Sequence, residues 1–309
     1  MPKYVNRYLR LKVWPNGAKE PITFTQDWKI TFNVRKCASA ITVSYNTAEI
    51  NIYNMTPQLR DLLSQKYMIV ELEAGYLDDY TTIFAGYLYN LITVKNATEL
   101  VTTLYCGSNT QAFGKTVNKC VQNVSVTDLI AQLCEEYGVS YRLPFKRDDV
   151  VQKSYTGSFG RVLALICKEY DILWTIENGQ ALFRDRKVAE NQVKNSEVRV
   201  FTPISGLLGN PQVTEVGVRI HTLMHPALQV TDYFRLEAPY TEYSINNIST
   251  TPWLILGNDL NVYAHITTHT YNGLYMALSI NVSGDTRGNA WYTDVEGSKI
   301  WPQQNDEQQ

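Results

Sequence analysis

The sequence predicts an α+β fold that is mainly β, and three observations carry that reading. Apolar and polar residues alternate with period two over most of the chain, the pattern of half-buried strands. Only two long stretches, between residues 124 and 170, switch to the three-and-four spacing of amphipathic helices. Asn-Gly pairs at 16–17, 178–179 and 272–273 mark tight turns, since this pair accepts the positive φ that two-residue hairpin loops require.

Alternation over residues 4–14, followed by Asn16-Gly17, predicts a first strand and hairpin. Residues 28–34, 41–45 and 49–53 continue the strand pattern. Thr56 and Pro57 then read as the cap and first residue of a short helix over 56–65, with Leu59, Leu62 and Leu63 sharing a face. Strands resume at 67–74, 81–94 and 99–107, and Gly86 inside the second marks a bulge or bend.

From residue 124, Val126, Leu129, Ile130, Leu133, Cys134 and Tyr137 fall on one helical face, with Ser125 and Asp128 as a capping pair and Gly138 as the stop. Phe159, Val162, Leu163, Ile166, Cys167 and Tyr170 repeat that spacing over 158–170. Residues 141–157 read as polar and irregular apart from a short strand at Val150. A hairpin about Asn178-Gly179 follows over 172–184.

The stretch 199–237 predicts a turn on residues 205–209 and strands at 212–215, 218–224 and 233–236, a meander of a small barrel or sandwich. Pro211 and Pro226 are expected to bound strands, because proline cannot donate to a ladder. Val218, Ile220 and Thr222 should face a core, and Arg219, His221 and Leu223 the wetter side. Residues 238–258, rich in Thr, Ser and Asn, read as a long excursion and a candidate contact surface. Residues 261–270 and 274–282 read as the last strands. Everything past Gly284 reads as a polar tail, disordered or ordered only on a partner.

At 309 residues the chain is long enough for two or three compact units. Its 28 Lys and Arg against 30 Asp and Glu leave no basic footprint, so nucleic acid is not an expected partner. Charged residues make up 19%, below the usual quarter, while Tyr alone numbers 21, which suggests surface covered by other protein. Tyrosine also suits strand faces in any β-rich fold. With no apolar run of about 18 residues, membrane insertion is not expected, and the first residues, with no basic head followed by an apolar run, are not expected to act as a secretion signal. Cys37, Cys106, Cys120, Cys134 and Cys167 show no CxxC spacing and are expected to stay reduced.

No catalytic, cofactor-binding or metal-binding constellation is legible, and the chain is not expected to be an enzyme. His221 and His225, like His265 and His269, are four apart, but on strands four residues span ~13 Å, too far for one ion. The doublets Asp78-Asp79, Glu135-Glu136 and Asp148-Asp149 read as solvated charge, since working carboxylates must face one another. The Gly-Ser-Phe-Gly run at 157–160 lacks the lysine of a phosphate loop and reads as a helix cap.

The order SGLLGNP, a strand, GVRIHTLMHPALQV and DYFRLE within 199–237 resembles tail hub proteins of phages, the family of phage late control protein D and the N-terminal part of type VI secretion spikes. The run TTIFAGYLYNLITVKNATELVTTLYCG, with Phe84, Ala85 and Gly86 at its Phe-x-Gly step, is similar as well. The resemblance implies two small β-barrel domains, at 1–117 and 199–285, with a small α+β domain at 118–198 between them and a polar tail at 286–309. It further implies a structural hub in the virion baseplate, made in the host cytoplasm. That hub would be a homotrimeric ring acting as a symmetry adaptor between hexameric tail tube protein and a threefold central spike protein, touching other baseplate proteins. A carbohydrate- or receptor-binding tail component is the alternative, suggested by Tyr and Trp on strands. No individual residue carries over as a site.

Overall fold

The computed structural model describes residues 6–38, 45–65, 67–108, 111–187, 193, 198–214, 217–239, 242–243 and 271–300. The chain divides into two compact units, Met1–Lys187 with Asn281–Trp291, and Val188–Ile280 with Tyr292–Gln309. Most of the described structure is strand, and three α-helices occur among the described residues. None of them is long and apolar enough to cross a membrane. The strands expected at 41–45 and 261–270, most of the excursion over 238–258, and His265 and His269 lie largely or wholly outside the described residues.

The first unit opens with β1 (Arg7–Trp14), β2 (Ile22–Thr25), β3 (Ile30–Cys37) and β4 (Thr47–Tyr53). After α1 (Pro57–Leu62) come β5 (Ile69–Tyr76), β6 (Asp79–Asn96) and β7 (Glu99–Gly107). These strands run in the order β3-β4-β7-β6-β5-β1-β2, each antiparallel to its neighbour. Period-two alternation does what it promised: Leu9, Leu11 and Val13 of β1 and Ile50 and Ile52 of β4 are buried, while their neighbours in sequence are more exposed. In α1, Thr56 caps by accepting from the Leu59 amide. The expected shared leucine face is absent, since Leu63 is buried but Leu62 is exposed.

Gly86 does not itself bulge. The extra residues in the ladders of β6 are Ile83, opposite the Leu72/Glu73 step, and Tyr89, between Leu88 and Asn90. The glycine is needed between them because a Cβ there would sit 2.4 Å from the Gly107 carbonyl oxygen. The bulges let one 18-residue strand pair with β5 along its first half and β7 along its second.

An ion-pair row crosses the β1–β5 ladder. Arg10 Nε and Lys12 Nζ lie 2.6 and 2.8 Å from the Glu73 carboxylate. Burial opposes ionisation of Glu73, but these two cations outweigh it and hold the carboxyl down at about 2. A folded-state value below the unfolded one stabilises fully above the ordinary carboxylate range and is lost as pH falls toward 2. Glu73→Gln should therefore lower the melting temperature at pH 7, with the gap to wild type closing in acid. An equal gap at both ends of that range would contradict the assignment.

Beyond a 3-10 turn at Gln111–Gly114 lie β8 (Thr116–Ser125), α2 (Val126–Tyr137), β9 (Ser140–Arg142), β10 (Val150–Ser158), α3 (Phe159–Glu169), β11 (Ile172–Glu177) and β12 (Gln180–Asp185). Helix α2 follows its sequence signals: Ser125 accepts from the Asp128 amide, and Gly138 ends it at φ 70°. Asn178 and Gly179, at φ 49° and 80°, close the β11–β12 hairpin in the expected register. Both helices pack their apolar faces around Trp174 and Phe183. The expectation of an irregular 141–157 segment is corrected, because β10 runs for nine residues antiparallel to β8.

The second unit holds β13 (Arg199–Phe201), β14 (Leu207–Thr214), β15 (Gly217–Leu223), β16 (Tyr233–Leu236) and β17 (Glu242–Tyr243). The hairpin strands β18 (Gly273–Asp285) and β19 (Trp291–Lys299) contribute residues to both units. Within the second unit β15 pairs with β14 and β19, and β16 with β13 and β18. Val218, Ile220 and Thr222 are fully buried and Arg219 and His221 exposed, as the alternation requires. Pro211 is a correction: it lies inside β14, where the ladder skips from Leu208 to Gln212 and no donor is demanded of it.

The polar tail expected past Gly284 is also corrected, since β19 is a full ladder strand and Trp291 is buried. In the first unit the Trp291 indole donates to the Gly75 carbonyl at 3.1 Å, and the Arg7 guanidinium caps the carbonyls of Asp285, Gly288 and Asn289. Residues 301–309 lie outside the described residues. Closure into barrels is not shown by these ladders: among the described residues they run as open sheets.

Candidate assembly surface

Among the described residues no group of three or more His, Cys, Asp or Glu could hold a metal ion. His221 and His225 are not brought together. His221 Nδ1 lies 2.6 Å from Asp294 Oδ1 on the exposed side of β15, with Tyr292 alongside. His225 lies past the strand end, buried, with Nδ1 3.1 Å from Arg199 Nη1 and its ring edge-on to Phe201.

The acidic doublets disperse in the same way. Asp78 lies in the β5–β6 turn and Asp79 begins β6 opposite Tyr76. Glu135 accepts from the Tyr141 hydroxyl, Glu136 pairs with Lys119, and Asp149 pairs with Arg147. Ser158 is the N-cap residue of α3 but makes no side-chain cap bond. Cys106, Cys134 and Cys167 are buried, and burial pushes their thiols up, Cys134 to about 12, whereas Cys37 and Cys120 are exposed.

What the first unit does present is an aromatic surface. On the outward face of β3, β4, β7 and β6, cross-strand neighbours form a polar row in which Asn51 donates to Thr31 at 3.1 Å and accepts from Thr103 at 2.6 Å. Beside that row, Tyr45, Tyr89 and Tyr105 line an open cleft of about 300 Å³ with Asn33, Arg35 and Glu49. All three residues are more than one-third exposed. Tyr89 reaches the cleft because it is the extra residue of a bulge, and its ring lies where Gly107 has no side chain. Tyr67 meets Tyr89 edge-on at 6.3 Å. Ile92 and Val94 continue the exposed apolar character along β6, and Ile69, Leu77 and Tyr80 add to it elsewhere in the unit.

Sequence reading anticipated tyrosines on strand faces but not this grouping. Tyr89 and Tyr105 come together through the β6–β7 register, and Tyr45 joins them just ahead of β4, a grouping that no local pattern reveals. An exposed aromatic and β-branched face with few charges is the composition of a surface that other protein covers.

A family model described as baseplate hub gp41 matches residues 10–247. The chain belongs to that family. Among solved structures, phage tail proteins and a type VI secretion component share its fold. The 43 kDa tail protein of prophage MuSo2 from Shewanella oneidensis has a TM-score of 0.55 at 9% identity, covering 96% of this chain and 100% of that one. A tail protein from Neisseria meningitidis MC58 has a TM-score of 0.58 at 6% identity, covering 96% and 100%. The Escherichia coli c3393 protein, described as a component of the type VI secretion system similar to the T4 tail proteins gp27 and gp5, has a TM-score of 0.59 at 10% identity, covering 94% of this chain and 76% of that one. At such identities the likeness is one of fold. No curated protein sequence matches the chain.

Proposed function

We propose that this baseplate hub gp41 family member is a structural hub of a phage tail, acting in the virion and not as an enzyme. In this reading three copies form a ring that joins the hexameric tail tube to the threefold central spike and touches other baseplate proteins. The match across residues 10–247 is the observation that carries it. The exposed face around Tyr45, Tyr67, Tyr89 and Tyr105 supports it, because a ring needs surface that gains by being covered. Domains at 1–117, 118–198 and 199–285, and closure of the first and last into barrels within the ring, belong to the same reading.

One observation favours a second reading, a carbohydrate- or receptor-binding tail component. The cleft combines three tyrosine rings with Asn33, whose buried Oδ1 accepts no hydrogen bond among the described residues. Mixing the purified chain with the tube and spike proteins of its own tail separates the two. The hub reading expects co-elution in a complex of defined mass. Glycan binding by a chain that ignores both proteins would favour the alternative.

A further inference from the structure

Four polar side chains of the first unit are buried together, and the hub reading gives them no task. Lys36, Asn46 and Glu177 are 2, 2 and 3% exposed, and Thr175 is fully buried. Lys36 is near the end of β3, and Asn46 directly precedes β4. The last pair of the β3–β4 ladder is Arg35 with Thr47, so Lys36 and Asn46 oppose one another one step further, on the side where Val34 and Ala48 are buried. Residues 175 and 177 are two apart on β11 and share the face that meets them.

The contacts follow that placement. Lys36 Nζ donates to Glu177 Oε1, and Thr175 Oγ1 donates to Asn46 Oδ1 at 3.5 Å. The Asn46 backbone is clamped on both sides by Ser108, with N to Oγ and O to N each 2.8 Å. Glu177 Oε2 is buried and accepts no hydrogen bond among the described residues. A buried ion pair adds little stability over an apolar pair of the same size. An amine, a carboxamide and a carboxylate shielded from water do, however, make a reactive set.

We propose that Lys36 and Asn46 become joined by an intramolecular isopeptide bond, with Glu177 as the catalytic proton shuttle. Glu177 takes a proton from the Lys36 ammonium. The free amine attacks Asn46 Cγ, forming the new C–N bond, and the Thr175 hydroxyl donates to the oxygen that gains negative charge. Glu177 returns its proton to the departing nitrogen as the Cγ–Nδ2 bond breaks. The second proton of the attacking nitrogen leaves the same way, so that an ammonium and an amide replace an ammonium and a carboxamide. Nothing is oxidised or reduced, and no co-reactant is needed. The product bolts β3 to β4 covalently in a part of the virion that, as a hub, would bear load.

Intact-mass measurement of the full purified chain tests this without depending on any variant's folding. Wild type should be lighter than its sequence by one ammonia, and a protease digest should contain a branched peptide joining Lys36 to Asn46. Glu177→Gln and Asn46→Ala should carry their full sequence masses and no branched peptide. Wild type at full mass, with Lys36 and Asn46 in separate linear peptides, overturns the proposal. Loss of ammonia without the branched peptide overturns it too, since a cyclised asparagine gives the same mass. A branched peptide that persists in Glu177→Gln removes Glu177 from the role.

Discussion

Trp174→Ala is expected to destabilise the first unit by about 3–5 kcal/mol, the cost of deleting a large buried ring whose site cannot collapse. Trp174 is fully buried on β11, stacked on Phe113 at 6.0 Å and Phe183 at 6.3 Å. Phe113 packs in turn on Phe159 at the start of α3, and Phe159 stacks on Tyr137 at the end of α2. One ring thus supports both helices and the β11–β12 hairpin, and the cavity opens where three elements meet. Urea unfolding followed by far-ultraviolet circular dichroism measures the loss. A cost below ~1 kcal/mol would mean the ring stack is not the centre of this core.

Gly217→Ala should disable the second unit, although it adds one methyl group. Gly217 begins β15 at φ 154°, and a Cβ there would lie 2.1 Å from the Gly297 carbonyl oxygen of the paired strand β19. The obstacle is backbone, so relief requires moving a ladder strand. The unfavourable conformation costs ~1–3 kcal/mol, and overpacking adds a comparable amount. Differential scanning calorimetry should show a large fall in melting temperature or an insoluble product. An unchanged melting curve would contradict the register of β15 on β19.

The parts of the fold legible in the sequence are those whose signal is local. The α2 boundaries came from Ser125, Asp128 and Gly138, and the β11–β12 hairpin from Asn178-Gly179, because caps and tight turns are decided by the residues that make them. Strands β8 and β10 were hidden because they form a two-stranded sheet with only Val117, Val121, Val151 and Tyr155 well buried among polar neighbours. Strand β19 was hidden because its inward positions include Thr293 and Gly297, which do not look like core. Gly297 is there because the Phe234 ring occupies the space of its side chain, within 2.6 Å of a would-be Cβ.

The candidate surface and the buried polar cluster were illegible for a different reason. Tyr45 and Tyr105, 60 residues apart, line one cleft, and Lys36 meets Glu177 across 141 residues of sequence. Family membership, by contrast, was visible in the order of elements around Phe84-Ala85-Gly86 and in the stretch 199–237, and the family match spans both.

The physical motive for the proposed ring is the exposed aromatic and apolar surface of the first unit, combined with edge strands such as β2, which pairs with β1 alone among the described residues and would otherwise recruit other chains. Sedimentation equilibrium on the isolated 309-residue chain at micromolar concentration measures the number of copies. The expected result is the mass of three chains, with Tyr89→Lys and Tyr105→Lys shifting the equilibrium toward one. A wild-type chain that stays at the mass of a single copy as concentration rises, alone and with its tube and spike proteins, would contradict it.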